Sequence, residues 1–469
     1  MALVGMEDLD GILAAGRDPS APVRMAALVA LRRLKRPEVA RFLLDADPRL
    51  VLEAARAIYD VPIEAAMPAL RDLLKRPAAP ERALLRAANA AFRLGDADAL
   101  AAFAARPEAP ASVRVEALEV LADWEKPSGR DRLMGLWRPI PERPADDAVN
   151  AVAARLKTFL LDPAEGVSAA AARLSGRYKL EGATALLQEA FRDRTLVPPS
   201  RLAALRALAG MAGDLGPTIL AALGDKDPAI VREAVRLLPR SGISDAPARL
   251  EKLLSEESPL PVRQAAILAL GELGADSALG ALLDLGVPPS LELELLEAAK
   301  TRPSLQPRLA AFDAGRKRDD PLSPYRETLE GGDPEAGRRI FFERSDVQCV
   351  RCHGVGDQGG QVGPPLTKIG GAKPREYLLE SIVFPNKQIA EGWGQVAVQL
   401  NNDSIEIGRV AKESEGFLML VLPDGSRKAI AKSDIRARKA ALSAMPEDLV
   451  KSLSKRDLRD LVAYLSSLR

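Results

Sequence analysis

The chain has 469 residues, 47% of them hydrophobic but only 4% aromatic, and its 66 lysines and arginines almost cancel its 65 aspartates and glutamates. A chain of this length ordinarily forms about two to four domains with cores of their own. The missing basic excess argues against nucleic acid or an anionic membrane surface as a partner. No apolar run approaches the roughly 18–20 residues needed to span a bilayer, so the chain is not expected to be integral to a membrane.

Alanine and leucine recur through the first 300 residues, a balance that favours helices. A phrase repeats there: a turn with proline or aspartate, then Val-Arg or an apolar pair, then Ala-Ala-Leu, then Leu. Copies fall at Asp18–Leu34, Asp47–Ile58, Ala79–Leu94, Pro110–Leu121, Val167–Leu174, Pro199–Leu208, Asp227–Leu238, Pro259–Leu270 and Pro288–Ala299. The period of about 30 residues holds two helices and two turns, and such a pair cannot bury its apolar stripe alone. The units are therefore predicted to stack into an α-solenoid over residues 1–310. The phrase resembles HEAT-type repeats, which implies that the arginine reaches back toward a neighbouring repeat's turn. The period is shorter than the roughly 40–47 residues of long HEAT units, and the proline-rich Trp137–Pro144 reads as an insertion. No histidine or cysteine precedes Cys349, so the expected work of the solenoid is interaction or spacing rather than chemistry.

Between Arg302 and Glu330 the phrase stops, and Pro303, Pro307, Gly315, the charge block Arg316–Asp320, Pro321 and Pro324 mark a linker, placed at 311–330. A domain is expected over 331–469. Asp333 and Pro334 open a helix as N-cap and first-position proline, with Gly337 and Phe341 on one face. Ser454–Leu468 reads as an amphipathic helix with Leu458, Leu461, Leu465 and Leu468 aligned and Tyr464 beside them. These two helices are predicted to cross.

Both cysteines and the only histidine stand together in Cys349-Val350-Arg351-Cys352-His353. This is the arrangement that attaches c-type haem: each thiol adds to a vinyl group and the adjacent imidazole ligates the iron. A structural zinc site wants four Cys or His ligands where the chain offers three. A thioredoxin-like motif wants a βαβ neighbourhood, whereas Asp333–Glu343 reads as a short helix followed by a loop. Bacterial enzymes attach haem to this motif outside the cytoplasmic membrane, so a periplasmic or otherwise exported protein is expected. Met1–Asp8 lacks a basic start followed by an apolar core. The chain is thus expected to be a processed or truncated form.

A helix with Gly337 four residues before Phe341, the Cys349–His353 attachment, a Gly363-Pro364 turn, a methionine and a last helix with Tyr464 together resemble the class I cytochromes c. More narrowly, Gly332–Phe342, Gly363-Pro364-Pro365-Leu366, Tyr377–Asn386 and Met445-Pro446-Glu447 look like the haem-binding domain of planctomycete and verrucomicrobial proteins. In that family the domain commonly follows HEAT-like repeats, often with a propeller-type, membrane-associated dehydrogenase module. The resemblance implies that the carbonyl of Pro364 orients the second ring nitrogen of His353. Without a second histidine, the other axial position falls to methionine or lysine, or stays open. Met445 is preferred, because Pro446 holds it in non-helical geometry that can aim the thioether. Met419, in the apolar run Phe417–Leu422, competes and reads mainly as core packing.

Between His353 and Met445, alternation predicts strands at Val396–Leu400, Ile405–Val410, Phe417–Leu422 and Lys428–Ile430, separated by tight turns. They form an antiparallel insertion at about 393–436, which shields the haem or docks a partner. The basic group Arg436, Arg438 and Lys439 suits an acidic partner or a solvated surface. The expectation is a mainly α protein: a HEAT-like α-solenoid, then an α-helical cytochrome c domain with a small antiparallel β insertion. It is expected to be an electron carrier rather than an enzyme, with one covalent haem c on Cys349 and Cys352 ligated by His353 and Met445, serving redox partners such as a dehydrogenase. The alternatives are the electron-accepting part of a larger dehydrogenase, or a haem enzyme or sensor with an open distal site.

Overall fold

The computed structural model describes residues 8–76, 78–211, 213–316 and 319–469. Met1–Glu7, part of the stretch expected to lack a leader, and Lys317 and Arg318 of the linker's charge block lie outside the described residues. The chain forms two compact units, Met1–Gly242 and Ile243–Arg469.

Every copy of the repeated phrase lies on one helix. In the first unit these are Ala21–Arg33, Pro48–Tyr59, Glu81–Leu94, Ala111–Ala122, Glu165–Tyr178, Pro198–Ala209 and Pro228–Leu237. The turn residues start them: Asp47 accepts the Arg49 N–H, and Asp227 those of Ala229 and Ile230, each with proline at the first helical position. The small apolar residues that follow are buried against neighbouring helices, as with Ala27, Leu28 and Leu31, or Ala54, Ala55 and Ile58.

The phrase's arginines reach forward as well as back. Arg24 forms a two-pronged pair with Asp45, at 2.8 and 2.9 Å. Arg114 pairs with Asp162 and Arg201 with Asp225, the aspartates of the turn that opens the following phrase. The backward contact comes from the same guanidiniums, whose Nε–H donates to the carbonyls of Ala104 and Phe191. Burial alone would raise the Asp225 carboxyl, but the Arg201 and Arg194 guanidiniums and the Asp227 N–H hold it at about 2. A second series stitches repeat to repeat: Arg41, Arg76 and Arg106 donate to the carbonyls of Leu13, Leu43 and Leu74, which lie 28, 33 and 32 residues earlier. The inserted loop is anchored by Asp131, whose carboxylate accepts the Tyr59 hydroxyl at 2.7 Å, and by Arg143 stacked 3.6 Å from the Trp124 ring.

In the second unit, helices Leu260–Leu273 and Pro289–Lys300 continue the repeats. Helix Pro334–Glu343 is capped by Asp333, and helix Lys455–Ser467 by a capping box of Ser454 and Asp457. The two cross closely. A Cβ on Gly337 would lie 2.0 Å from the Asp460 carbonyl oxygen, so only glycine permits the approach. The Phe341 and Tyr464 rings then meet at 5.6 Å. Helix Arg375–Val383 closes this core with Leu378, Leu379 and Ile382.

The segment read as a linker packs into the unit. Ser323–Thr328 forms a 3-10 turn, and Glu327, 1% exposed, is paired by Arg316 and Lys455. Glu294 of Pro289–Lys300 meets Arg459 of the last helix at 2.9 Å, both buried, and the Gln264 side-chain amide donates to the Gly331 carbonyl at 2.9 Å.

Two short strands, β1 (Gly354–Val355) and β2 (Gln358–Gly359), pair with each other. Strands β3 (Gln395–Leu400), β4 (Ile405–Glu413), β5 (Phe417–Val421), β6 (Arg427–Ala431) and β7 (Ile435–Ala441) form an antiparallel sheet in the order β6-β5-β4-β3-β7. Val398, Leu418, Leu420 and Ile430 make its core. Met419 is half-buried on the opposite face of β5, so it is not core filling. Nothing in the sequence marks strand β7, because Arg436-Ala437-Arg438-Lys439-Ala440 has no β-branched or aromatic residue. Backbone pairing with β3 recruits it, and charges of this kind suit an edge.

Gly337→Ala should force the crossing helices apart and cost about 1–3 kcal/mol or more. The measurement is the urea midpoint followed by circular dichroism, and an unchanged midpoint would contradict the close crossing.

Candidate functional site

Gln348 takes a left-handed conformation, φ 49°, which lets the one-turn helix Cys349–Cys352 begin at once. The following chain folds back over that turn. The N–H groups of Gly360 and Gly363 donate to the carbonyls of Val350 and Cys352, each at 2.9 Å, and that of Leu366 to Gly354 at 2.8 Å. This return brings Gly363 and Pro364 against the imidazole. A Cβ on Gly363 would lie 2.6 Å from His353 Cε1, so the seat of the ring requires glycine.

The Pro364 carbonyl oxygen stands 2.8 Å from His353 Nδ1. A carbonyl can only accept, so Nδ1 carries the proton and Nε2 keeps its lone pair. Burial lowers the pKa of His353 and so favours the neutral ring, opposed by the Pro364 hydrogen bond. Burial also pushes the Cys349 thiol up to about 11, and it raises that of Cys352. A dithiol built for exchange needs the opposite shift. Among the described residues no three His, Cys, Asp or Glu side chains converge as a metal cluster.

These residues fit a covalent haem: two neutral thiols within one helical turn, followed by an imidazole whose Nε2 is free to ligate. Cys349, Val350, Leu366 and Met445 all pack against the core built around Phe341, Leu379 and Leu461. Met445 also lines a cavity of about 560 Å3, together with Asn386, Leu442, Ser443, Pro446 and Lys451. The structure therefore gathers Cys349, Cys352, His353 and Pro364 into one site and sets Met445 against the same core. Met419 lies apart, in the sheet.

Two contributors are not marked as site residues by the sequence. Asn386, the last residue of the Tyr377–Asn386 stretch, accepts the Ser443 N–H at 2.7 Å and donates to Glu447 at 2.5 Å. Arg409 of β4 stacks 4.3 Å over the Trp393 ring and reaches the Gln361 carbonyl at 3.4 Å, linking the sheet to the loop that seats His353. Of the basic group, Arg436 is paired with Asp403 at 2.7 Å and Arg438 with Glu413 at 2.9 Å, so much of its charge is neutralised in place.

Residues 197–271 and 216–293 match the family described as HEAT repeats, and residues 334–402 match the family described as cytochrome c. The chain thus carries HEAT repeats with a cytochrome c domain C-terminal to them, and that domain supports haem binding in an electron-transfer role. The second match takes in Cys349–His353 and Pro364 and ends before Met445. No curated protein matches. The crystal structure of an engineered protein from a structural-genomics consortium is 18% identical with a TM-score of 0.35, covering 71% of this chain and 91% of that one. Human deoxyhypusine hydroxylase in complex with glycerol is 18% identical with a TM-score of 0.23, covering 64% and 98%. At these scores neither likeness carries weight.

Gly363→Ala should push the imidazole away from Pro364. Because the chain has a single histidine, its ring signals in NMR are unambiguous. The Nδ1–H resonance is expected to lose its hydrogen-bonded shift, and an unchanged resonance would show that the ring does not depend on the glycine.

Proposed function

We propose that this protein transfers electrons through one c-type haem attached covalently to Cys349 and Cys352, with His353 and Met445 as axial ligands. The observation that carries the reading is the 2.8 Å contact from His353 Nδ1 to the Pro364 carbonyl, because it frees Nε2 in a ring that directly follows two neutral thiols. When bound, the haem supplies a one-electron iron couple, for which thioether ligation favours a relatively high potential. Pro364 fixes the tautomer and ring plane and makes the imidazole a better donor. The apolar core behind Cys349 and Leu366 limits water. Met445 offers its sulfur from a bent strap restrained by Pro446.

The HEAT repeats present this domain to redox partner proteins, a dehydrogenase among them. The buried Glu294–Arg459 pair supports that role, since it ties the last repeats to the domain's final helix. The protein works outside the cytoplasm, where haem is attached to such motifs.

Directed to a periplasm equipped with haem-attachment enzymes, the protein should yield haem that survives denaturing electrophoresis. A colourless product would overturn the reading.

Met445→Ala should leave the haem attached, open the iron to added ligands and lower the potential. Met419→Ala, at a half-buried position, should leave the spectrum unchanged and cost less than the roughly 2–5 kcal/mol of a fully buried methionine. The ligand assignment is wrong if only the Met419 variant loses the native six-coordinate spectrum. Binding of carbon monoxide or cyanide to the unaltered protein would instead favour an enzyme or sensor with an open site.

A further inference from the structure

The strap that carries Met445 leaves the sheet at the end of β7 and reaches the last helix through an exposed turn, with Pro446, Glu447 and Asp448 all exposed. No regular element holds the methionine: β7 ends at Ala441, the next regular turn begins at Leu449, and the nearest backbone bond is from the Leu449 N–H to the Pro446 carbonyl at 3.3 Å. One side chain bridges the gap. Asn386 Oδ1 accepts the Ser443 N–H at 2.7 Å, and Asn386 Nδ2 donates to Glu447 Oε1 at 2.5 Å. Ser443 passes the restraint on, since its Oγ accepts the Met445 N–H at 3.2 Å. Asn386 is itself held firmly: it follows helix Arg375–Val383, whose Leu378, Leu379, Ile382 and Val383 are buried in the domain core, and Pro385 before it is buried.

We infer that Asn386 is a positioning residue for Met445, a two-ended clamp that keeps the thioether at the sixth position of the iron. The inference rests on the His353/Met445 reading given above. The chemistry demands an amide. Ser443 presents a donor and Glu447 an acceptor, and only asparagine or glutamine answers both with one planar group. Aspartate keeps the Ser443 bond but sets a second carboxylate against Glu447, where like charges repel. Releasing the clamp raises the fraction of molecules with the sulfur withdrawn. The apparent affinity of an added ligand rises with that fraction.

The test measures imidazole binding to the oxidised haem protein for four forms: unaltered, Asn386→Asp, Glu447→Gln, and the two changes combined. Asn386→Asp should bind imidazole about tenfold more tightly, the factor expected from losing one hydrogen bond to a charged group. Glu447→Gln alone keeps an acceptor for the asparagine amide and should stay close to the unaltered protein. The combined form reverses the direction of the second bond, with the amide now on residue 447 donating to the carboxylate at 386, and leaves net charge unchanged. It should return imidazole affinity to within about threefold of the starting value. Hydrogen exchange at the Ser443 and Met445 amides should follow the same order, a readout that domain stability alone does not produce when the melting temperatures agree. If Asn386→Asp melts early, the combined form, with both bonds restored, still decides the matter. Failure of rescue in a folded combined form overturns the clamp. So does an Asn386→Asp protein that binds imidazole no more tightly while the unaltered protein shows sulfur-to-iron charge-transfer absorption. Absence of that absorption from the unaltered protein removes instead the Met445 ligand reading on which the clamp rests.

Discussion

The close crossing of helices Pro334–Glu343 and Lys455–Ser467 is the constraint on which the haem domain depends. Gly337 lets one backbone touch the other at Asp460, and Phe341 and Tyr464 fill the angle between them. The chain between the two helices is thereby closed into a loop whose ends are fixed. The Cys349–His353 turn hangs from the first helix, and the Met445 strap leads into the second. A loop of that length costs only slowly growing entropy to close, so the domain tolerates a five-stranded sheet between its two essential ends.

Around His353 the protein settles the state of one proton. The Pro364 carbonyl claims Nδ1–H, burial favours the neutral ring, and Gly363 leaves room for the imidazole edge. Each is a simple contact, and together they present a lone pair in a defined direction. Burial raises the pKa of both cysteines alongside, which makes them poor candidates for disulfide exchange.

Local and periodic features are legible in the amino-acid sequence itself. The Cys-x-x-Cys-His spacing is contiguous, and the repeat phrase recurs often enough that every copy marks a helix. The Gly337–Phe341 and Leu458–Leu465 faces predict a crossing because helical periodicity exposes such faces directly. What stays hidden is relational. Strand β7 exists because β3 offers it a partner, which the composition of Arg436–Ala440 does not announce. The forward reach of Arg24, Arg114 and Arg201 depends on where the next turn comes to rest. The sequence does not single out Asn386 or Arg409, since their roles are contacts with segments far along the chain. The segment 311–330 is rich in proline and charge and reads as a spacer, yet Glu327 is buried under two cations.

That buried segment bears on how such chains are put together by recombination. A genetic joint near residue 330 would seem natural from sequence, because it separates repeats from the haem motif. It would instead part Glu294 from Arg459 and Gln264 from Gly331, leaving a buried charge without its counter-ion on each fragment. The compact unit that holds the haem motif begins further upstream, at Ile243, and includes the repeat helices Leu260–Leu273 and Pro289–Lys300.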